Sequence, residues 1–454
     1  FSMVDVLWQP PEDNAMARFR AFVGKRIGRK LHSYSELYDY SIKHNGEFWL
    51  LFIEYAQIPF LKPPAVAMEI RSPWRKSQWF PGSYANWAQM ALQNRRNDTK
   101  LAVESFDEKG ARVKWSFADL YRRVAAFQQL VQSEGLSKGG KLAAFMPNTE
   151  ETLLTLLASV SCGATFSSTS PDFGVGAAAD RLTQFNPQIL VASAYYFFKG
   201  KKISVLEKII EISKKVEALK TLFIFRAEKP DVDFLQQTLP QVKIVVVTVE
   251  EESAEEIRFA PYAFEDPLYV MYSSGTTGLP KGIIQGHGVI INHVKEHTLH
   301  CGSSSADKIF YYTTCGWMMY NWLVSALCFG ASLVLFDGNP FHHGSELLFK
   351  LARETGLTVF GTSAKYLTTL MQHKFEGKEI LQKSKVRLIL STGSVLPPEG
   401  FRYVYEHLHP SIHLASISGG TDLNGCWALG NPDEPVVSGE LQSRGLGMAV
   451  EIFN

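Results

Sequence analysis

The sequence has few cysteines, and this shortage excludes a disulfide scaffold. The five cysteines in 454 residues are Cys162, Cys301, Cys315, Cys328 and Cys426. No two of them form the CxxC pair that is typical of zinc sites and redox turns. Their odd number and their spacing indicate reduced thiols, so we expect a cytosolic (cytoplasmic) protein.

The sequence also has almost no net charge. Its 46 basic and 45 acidic side chains leave a formal charge of +1. A chain without excess positive charge does not hold a nucleic acid or an anionic membrane surface by counterion release. We therefore expect small-molecule partners and no nucleic acid, and the oligomeric state stays open.

Charged residues are absent between Ile309 and Phe336, a length that could cross about 30 Å of hydrocarbon. Hydroxyl and amide side chains interrupt this run, and Gly330 divides it. The pattern predicts a buried helix that ends at the glycine, followed by a core strand at 332–336. We expect no membrane span, and no signal peptide is visible at the first residues.

What is present is a globular α/β pattern, with 46% hydrophobic and 20% charged residues. Short apolar runs alternate with helical stretches, which is the βαβ rhythm of a parallel sheet covered on both faces. The first series of strands is predicted at 142–145, 189–192, 222–225 and 243–249. A second series is predicted at 332–336, 357–361, 386–391 and 412–417. Two doubly wound, mostly parallel sheets follow.

The same alternation divides the chain. Residues 1–85 are rich in aromatics and read as a helical lead-in. Residues 86–285 form a first α/β subdomain, and residues 286–454 form a second. The length agrees with two or three domains of about 150 residues each.

The strongest motif is YSSGTTGLPKG at 272–282, directly after an apolar strand. Small hydroxyl residues and glycines let backbone amides close around phosphate oxygens, and Lys281 adds a positive charge. The residues of this candidate cradle are Ser273, Ser274, Gly275, Thr276, Thr277, Gly278 and Lys281. It differs from a Walker loop because Gly282 follows the lysine. The alternative is an ordinary glycine-rich hairpin turn.

A second cluster, SISGGTD at 416–422, follows the strand-like 413–415. A carboxylate at the carboxyl end of a strand, here Asp422, could hold Mg²⁺. The alternative is that Asp422 caps the next turn.

Two rival chemistries also have signals. His293, Glu296 and His297 match the H-x-x-E-H pattern of inverted zinc proteases, but so short a pattern arises easily by chance among 12 histidines. Serine hydrolysis has less support, because the GTSAK at 361–365 lacks the final glycine of G-x-S-x-G.

The segment 272–282 resembles the phosphate-loop signature of the adenylate-forming superfamily, which contains acyl-CoA synthetases, luciferases and peptide-synthetase adenylation domains. The resemblance spans essentially the whole chain. The segments 167–174, 316–319, 391–394 and 416–422 are similar to those of the acetoacetate-activating branch of this superfamily. It implies a ligase that uses ATP, Mg²⁺ and coenzyme A to convert acetoacetate into its adenylate and then its thioester. A ligase for another short acid, or a non-catalytic nucleotide-binding module, remains the alternative.

The resemblance also implies roles for residues. Lys281, Thr276 and Thr421 would serve catalysis, and Asp422 would hold Mg²⁺. The nucleotide would lie along Gly393, Ser394, Val395, Ser416, Ile417, Ser418, Gly419, Gly420 and Thr421. Related synthetases place basic residues for the 3′-phosphate of coenzyme A where this chain has Lys199, Lys201 and Lys202, although a solvated surface explains them equally well.

A four-carbon keto acid needs a short and mostly apolar slot. Candidate walls are Trp317, Met318, Met319, Thr362 and Ser363, followed by Ala364 and Lys365. A Trp-Met-Met run is also common in an ordinary core.

Three departures from the superfamily pattern stand out. Asp422 replaces the usual glutamate, and Ser418 replaces the aromatic that stacks on adenine, so base stacking must come from elsewhere. Members of the superfamily continue into a small mobile domain beyond position 454. The strand-like 448–453 would end as an exposed edge, so we expect a large N-terminal portion of a longer enzyme, which adenylates poorly by itself.

Overall fold

Two seven-stranded sheets organise the fold. The computed structural model of the protein describes residues 5–273 and 278–453. In spatial order, the first sheet contains Lys243–Val246, Thr221–Phe225, Ile189–Ser193, Lys141–Phe145, Thr165–Thr169, Tyr269–Ser273 and Lys281–Gln285. Its neighbouring strands are parallel except for the last pair, which is an antiparallel hairpin.

The second sheet repeats this plan. In spatial order it contains His413–Ser416, Leu388–Thr392, Val359–Ser363, Lys308–Tyr311, Ser332–Asp337, Leu101–Asp107 and Arg112–Ser116. Again only the last pair is antiparallel. The predicted fold class, two mostly parallel sheets in an α/β chain, is confirmed.

The hairpin Leu101–Asp107 and Arg112–Ser116 lies inside the segment predicted as the first subdomain, yet it completes the second sheet. Val103 pairs with Leu333 across this junction. Hydrophobic periodicity identifies a strand but does not tell which sheet it joins. The predicted boundary at 285 coincides with the end of the first sheet's last strand, and the division into domains stays a prediction.

Helices cover both sheets. The α-helices are Ala15–Arg26, Tyr34–Lys43, Asn45–Ala56, Trp87–Leu92, Phe117–Ser133, Glu150–Ser161, Val175–Phe185, Leu206–Ser213, Lys229–Thr238, Gly288–Lys295, Met318–Val324, Leu347–Thr355, Ala364–Gln372, Lys378–Gln382 and Pro398–Tyr403. Trp74–Lys76 and Ser325–Phe329 are 3₁₀-helical, whereas Glu296–His300 and Val404–Leu408 form π-helical turns.

The remaining strands form small sheets. The pairs are Val6–Trp8 with Val436–Val437, Tyr195–Phe198 with Lys201–Ser204, Tyr84–Ala85 with Tyr262–Ala263, and Met68–Glu69 with Gln78–Trp79; Ser418–Gly420, Gly425–Leu429 and Ser443–Arg444 form a three-stranded sheet. The aromatic lead-in is helical as predicted, and Phe19, Phe48 and Phe52 share a buried hydrophobic cluster with Ile291 and Val294 of helix Gly288–Lys295.

The long uncharged segment has the predicted structure. Helix Met318–Val324 runs into the turn Ser325–Phe329, which ends at Gly330 with a left-handed φ of 79°, and strand Ser332–Asp337 follows. The segment is uncharged because it lies in the core. Within residues 5–273 and 278–453, no helix is long and apolar enough to span a bilayer.

The strand predicted at 448–453 is wrong. Residues 448–453 have no ladder partner within the described chain; the amide of Met448 donates to the carbonyl of Gly445, and other backbone groups of the segment bond to side chains. The Tyr38 hydroxyl donates to the carbonyl of Met448 at 2.8 Å and accepts from the amide of Val450 at 3.1 Å. An alternating apolar pattern predicts a strand only where a neighbouring edge is free to pair.

Candidate functional site

A cavity of about 480 Å³ opens where strands Leu388–Thr392 and His413–Ser416 end. The carboxyl ends of parallel strands are where open α/β sheets bind ligands. The wall is formed by Trp317, Met318, Met319, Thr392, Gly393, Ser394, Val395, Leu396, Ser416, Ile417, Ser418, Gly419, Gly420, Thr421, Gly425, Cys426, Gly439, Glu440 and Leu441. The cavity thus brings together both predicted nucleotide segments and the Trp-Met-Met run.

Hydrogen bonds hold the two predicted nucleotide segments side by side. The amide of Ile417 donates to the carbonyl of Ser391 at 2.8 Å, and the Thr392 hydroxyl donates to the carbonyl of Ile417 at 3.0 Å. The chain then turns sharply at Gly393, whose φ of 87° favours glycine. Residues 393–395 belong to the cavity wall and are exposed, and Val395 is 87% exposed.

The second cluster is a tight hairpin. Strand Ser418–Gly420 pairs antiparallel with Gly425–Leu429, with an irregular register between Ser418 and Gly419. The strands approach so closely that a Cβ atom on Gly419 would lie 2.1 Å from the carbonyl oxygen of Gly425. The amide of Asn424 closes the turn by donating to the carbonyl of Gly420 at 2.8 Å.

A buried polar helix fixes this hairpin from below. The His293 ring contacts the carbonyl of Asn424 at 2.8 Å and the Ser325 hydroxyl at 2.9 Å. The Glu296 carboxylate accepts from the amide of Cys426 and the indole of Trp322, both at 2.9 Å. Burial lowers the pKa of His293, so the ring stays neutral at this contact.

These contacts leave the zinc alternative without support. His293 uses both ring nitrogens, His297 bonds through Nε2 to the carbonyl of Trp322 at 2.7 Å, and Glu296 is taken up by donors. In the described part of the chain, no three His, Cys, Asp or Glu side chains are placed to bind a metal ion. The H-x-x-E-H pattern arises here from a polar core that positions the hairpin.

The candidate phosphate loop joins the two antiparallel strands at the edge of the first sheet, where Ser273 pairs with Lys281. The strands on either side of the loop thus form a hairpin, as the alternative interpretation predicted. A hairpin at this position is compatible with phosphate binding by its turn. Four of the predicted cradle residues, Ser274, Gly275, Thr276 and Thr277, lie outside the described residues. Gly278 and Lys281 are exposed, and the Lys281 ammonium has no hydrogen bond or ion pair to any described residue.

Asp422 follows the hairpin strand and is exposed. Its carboxylate accepts no hydrogen bond from the residues that the structure describes, so the capping role has no support there. The side-chain amide of Gln285, on strand Lys281–Gln285 of the candidate phosphate hairpin, donates to the carbonyl of Thr421, next to Asp422, at 3.5 Å. The second cluster and the phosphate hairpin are thus adjacent.

The predicted acyl-pocket residues divide into two groups. Trp317, Met318 and Met319 line the cavity, with both methionines buried. Thr362 and Ser363 do not lie on its wall: Thr362 is fully buried in the sheet, and the Ser363 hydroxyl caps helix Ala364–Gln372 by accepting from the amide of Tyr366 at 3.1 Å. Strand position alone did not reveal these structural uses.

The lysines predicted for coenzyme A sit on the hairpin Tyr195–Phe198 and Lys201–Ser204, whose turn residues Lys199 and Gly200 have φ values of 51° and 75°. The buried carboxylate of Glu108, from the second sheet's hairpin, holds this turn. It accepts from the amides of Lys199 at 3.0 Å, Gly200 at 2.6 Å and Asn339 at 2.8 Å. Sequence reasoning missed Glu108 because nothing local marks a side chain that bridges two sheets.

The cavity and its neighbouring hairpins now have a context among known proteins. The sequence model of the AMP-binding enzyme family matches residues 90–440. The chain belongs to the AMP-binding enzyme family. It is 36% identical over 453 residues to the acetoacetyl-coenzyme A synthetase of Rhizobium meliloti (strain 1021), covering 99% of this chain and 69% of that protein.

Two further relatives are also acyl-CoA synthetases. The acetoacetyl-CoA synthetase of Xenopus tropicalis is 36% identical over 99% of this chain and 68% of its own length. The malonamoyl-CoA synthetase of Penicillium aethiopicum is 33% identical over 99% of this chain and 66% of its own.

A solved structure, the acetoacetyl-CoA synthetase from Streptomyces lividans, superimposes with a TM-score of 0.89 at 32% identity, covering 97% of this chain and 69% of that one. The predicted resemblance is confirmed, and this member of the AMP-binding enzyme family spans about two thirds of the relatives it matches.

Proposed function

We propose that the protein is an ATP-dependent ligase that activates acetoacetate as acetoacetyl-AMP and transfers the acyl group to coenzyme A. The single observation that carries the proposal is the cavity at the carboxyl ends of the second sheet. Its wall joins the segments 393–395 and 416–421 to an apolar Trp317-Met318-Met319 surface. The identity to acetoacetyl-CoA synthetases over 99% of the chain supports acetoacetate as the acid.

In the first half-reaction, a carboxylate oxygen of acetoacetate attacks the α-phosphorus of ATP. The bond from the α-phosphorus to the bridging oxygen breaks, and pyrophosphate leaves with the electron pair. Two anions approach each other, so positive charge and fixed N–H donors must offset the charge on the departing group. The Lys281 ammonium, which has no partner among the described residues, and the loop 273–278 would supply them.

Magnesium enters as part of the substrate, MgATP. Asp422 is an exposed carboxylate with no competing donor among the described residues. One carboxylate together with phosphate oxygens and water is a usual environment for Mg²⁺. Asp422 would therefore be its protein ligand.

In the second half-reaction, the sulfur of coenzyme A attacks the acyl carbon, the bond to AMP breaks, and the thiol proton is released. The exposed Lys199, Lys201 and Lys202 would bind the 3′-phosphate of coenzyme A. Their hairpin is held in place by Glu108, which gives them a fixed position. We also propose a cytosolic location, which the five unpaired cysteines support.

The proposal is tested by acid-dependent exchange of labelled pyrophosphate into ATP. Acetoacetate, acetate, propionate and malonamate are each supplied to the purified protein and to its longest available form. Exchange that depends on acetoacetate is the expected result. Exchange with another acid alone would replace acetoacetate as the substrate, and no exchange with any acid would favour a non-catalytic nucleotide-binding module.

The role of the lysine is tested by Lys281→Ala. We expect pyrophosphate formation to slow by about 100-fold or more, whereas the Kd of AMP changes less than about threefold, because AMP lacks the β- and γ-phosphates. Lys215→Ala, which removes an exposed lysine away from the cavity wall, is the matched control. Equal losses of rate and AMP affinity in Lys281→Ala would contradict the role.

A further inference from the structure

The nucleotide hairpin has no aromatic surface of its own on strand Ser418–Gly420. A purine base is bound most economically against an aromatic ring, because stacking is worth about 1–3 kcal/mol per base. The three residues of this strand offer one hydroxyl group and no larger side chain. The base must find its ring on a neighbouring element.

Trp427, on the partner strand Gly425–Leu429, provides such a ring. Its indole nitrogen donates to the Ser418 hydroxyl at 2.9 Å. A Cβ atom on Gly420 would lie 3.4 Å from the indole carbons. Residues 418 and 420 point to the same side of their strand, so the indole lies on that side and occupies the space that a large side chain at 418 would take.

The indole is also both fixed and accessible. The hydrogen bond to Ser418 sets its orientation, while 39% of the residue remains exposed. The ring lies against Ser418 and Gly420, which both belong to the cavity wall, so a base bound beside these two residues can reach its exposed part. Val395, on the wall of the same cavity, exposes 87% of its surface. Val395 on the wall and Trp427 beside Ser418 and Gly420 are thus two exposed apolar side chains at a cavity of about 480 Å³.

We propose that Trp427 is the aromatic platform on which the adenine of ATP and AMP stacks, and that Ser418 fixes its indole instead of stacking itself. This inference rests on the proposed function, because it requires that the cavity binds an adenine nucleotide. The aromatic ring that stacks on the base then comes from the partner strand Gly425–Leu429, and position 418 of the second cluster only orients it.

The test measures binding by isothermal titration calorimetry with three ligands: MgATP, AMP and inorganic tripolyphosphate, which has no base. The variants are Trp427→Leu, which removes the ring, and Trp427→Phe, which keeps an aromatic face but loses the N–H. We expect Trp427→Leu to weaken MgATP and AMP about tenfold or more and to leave tripolyphosphate unchanged. Trp427→Phe should stay within about threefold of the wild type.

Unchanged AMP affinity in Trp427→Leu would overturn the inference. An equal loss for AMP and tripolyphosphate would also overturn it, because a collapsed hairpin, not a lost base contact, would then be the cause. If the wild-type protein binds tripolyphosphate but no adenine nucleotide, the proposed function itself fails. If the wild type binds ATP and only the ring is dispensable, the function stands and the platform does not.

Discussion

A methyl group added at Gly419 should disrupt the hairpin at 418–429 and weaken ATP binding. A Cβ atom there would lie 2.1 Å from the carbonyl oxygen of Gly425 and 3.0 Å from the Cα of Cys426. Both neighbours are backbone atoms, which cannot rotate away. The overlap, almost 1 Å inside the 3.0 Å limit that real Cβ contacts observe, must therefore move one strand.

The strands cannot move apart without breaking other contacts. The amide of Cys426 is bound to the buried Glu296, and the carbonyl of Asn424 is bound to His293. Separation loses two or three hydrogen bonds worth about 1 kcal/mol each. We expect Gly419→Ala to destabilise the hairpin by about 2–3 kcal/mol, which corresponds to a rise in the Kd of ATP of roughly 30- to 150-fold.

Calorimetric ATP binding and urea unfolding check this prediction. Gly420→Ala is the matched control, because a Cβ atom there meets only the Trp427 ring at an ordinary 3.4 Å. We expect its free energy of unfolding to lie within about 0.5 kcal/mol of the wild type. A Gly419→Ala protein with wild-type stability and ATP affinity would refute the proposed geometry of the hairpin.

Two further predictions concern buried groups. Glu108→Gln weakens the acceptor of three amides. We therefore expect the KM for coenzyme A to rise about fivefold in the longest form of the enzyme, whereas the KM for dephospho-coenzyme A, which lacks the 3′-phosphate, stays constant. Glu207→Gln, at an exposed acid, is the control, and equal changes in KM for both thiols would contradict the role of Glu108. Burial lowers the pKa of His287 to about 3, so the unfolded chain binds its proton below pH 6.5 and the folded chain does not, and stability falls as the pH drops. The difference in the free energy of unfolding between His287→Phe and the wild type should therefore shift by about 2 kcal/mol in favour of the variant from pH 8 to pH 5. Urea unfolding at both pH values measures this shift, and a difference that does not depend on pH would disprove a buried neutral imidazole.

The sequence predicted what depends on local pattern. The strands Ile189–Ser193 and Thr221–Phe225 came from short apolar runs, and the helix end at Gly330 from a glycine after a buried helix. The cluster at 416–422 was marked by its small residues and aspartate after a strand, and the nucleotide role expected of 393–395 and 416–421 came from the family resemblance. The cavity places them together.

What the sequence did not predict depends on pairing between distant elements. Strand Leu101–Asp107 joins the second sheet by pairing Val103 with Leu333, more than 200 residues away. Trp427 faces Ser418 only because an irregular register aligns the two strands. Likewise, helix Gly288–Lys295 runs on into the π-helical turn Glu296–His300. The hydrophobic periodicity of the sequence does not predict this strand pairing, this register or this helix end.

A crystal structure with a non-hydrolysable MgATP analogue tests the central claim most directly. We expect the adenine to lie between residues 393–395 and the Trp427 indole, and the β- and γ-phosphates to lie at the hairpin turn beside Lys281. Nucleotide density at another surface, with this cavity and the hairpin turn empty, would contradict the account.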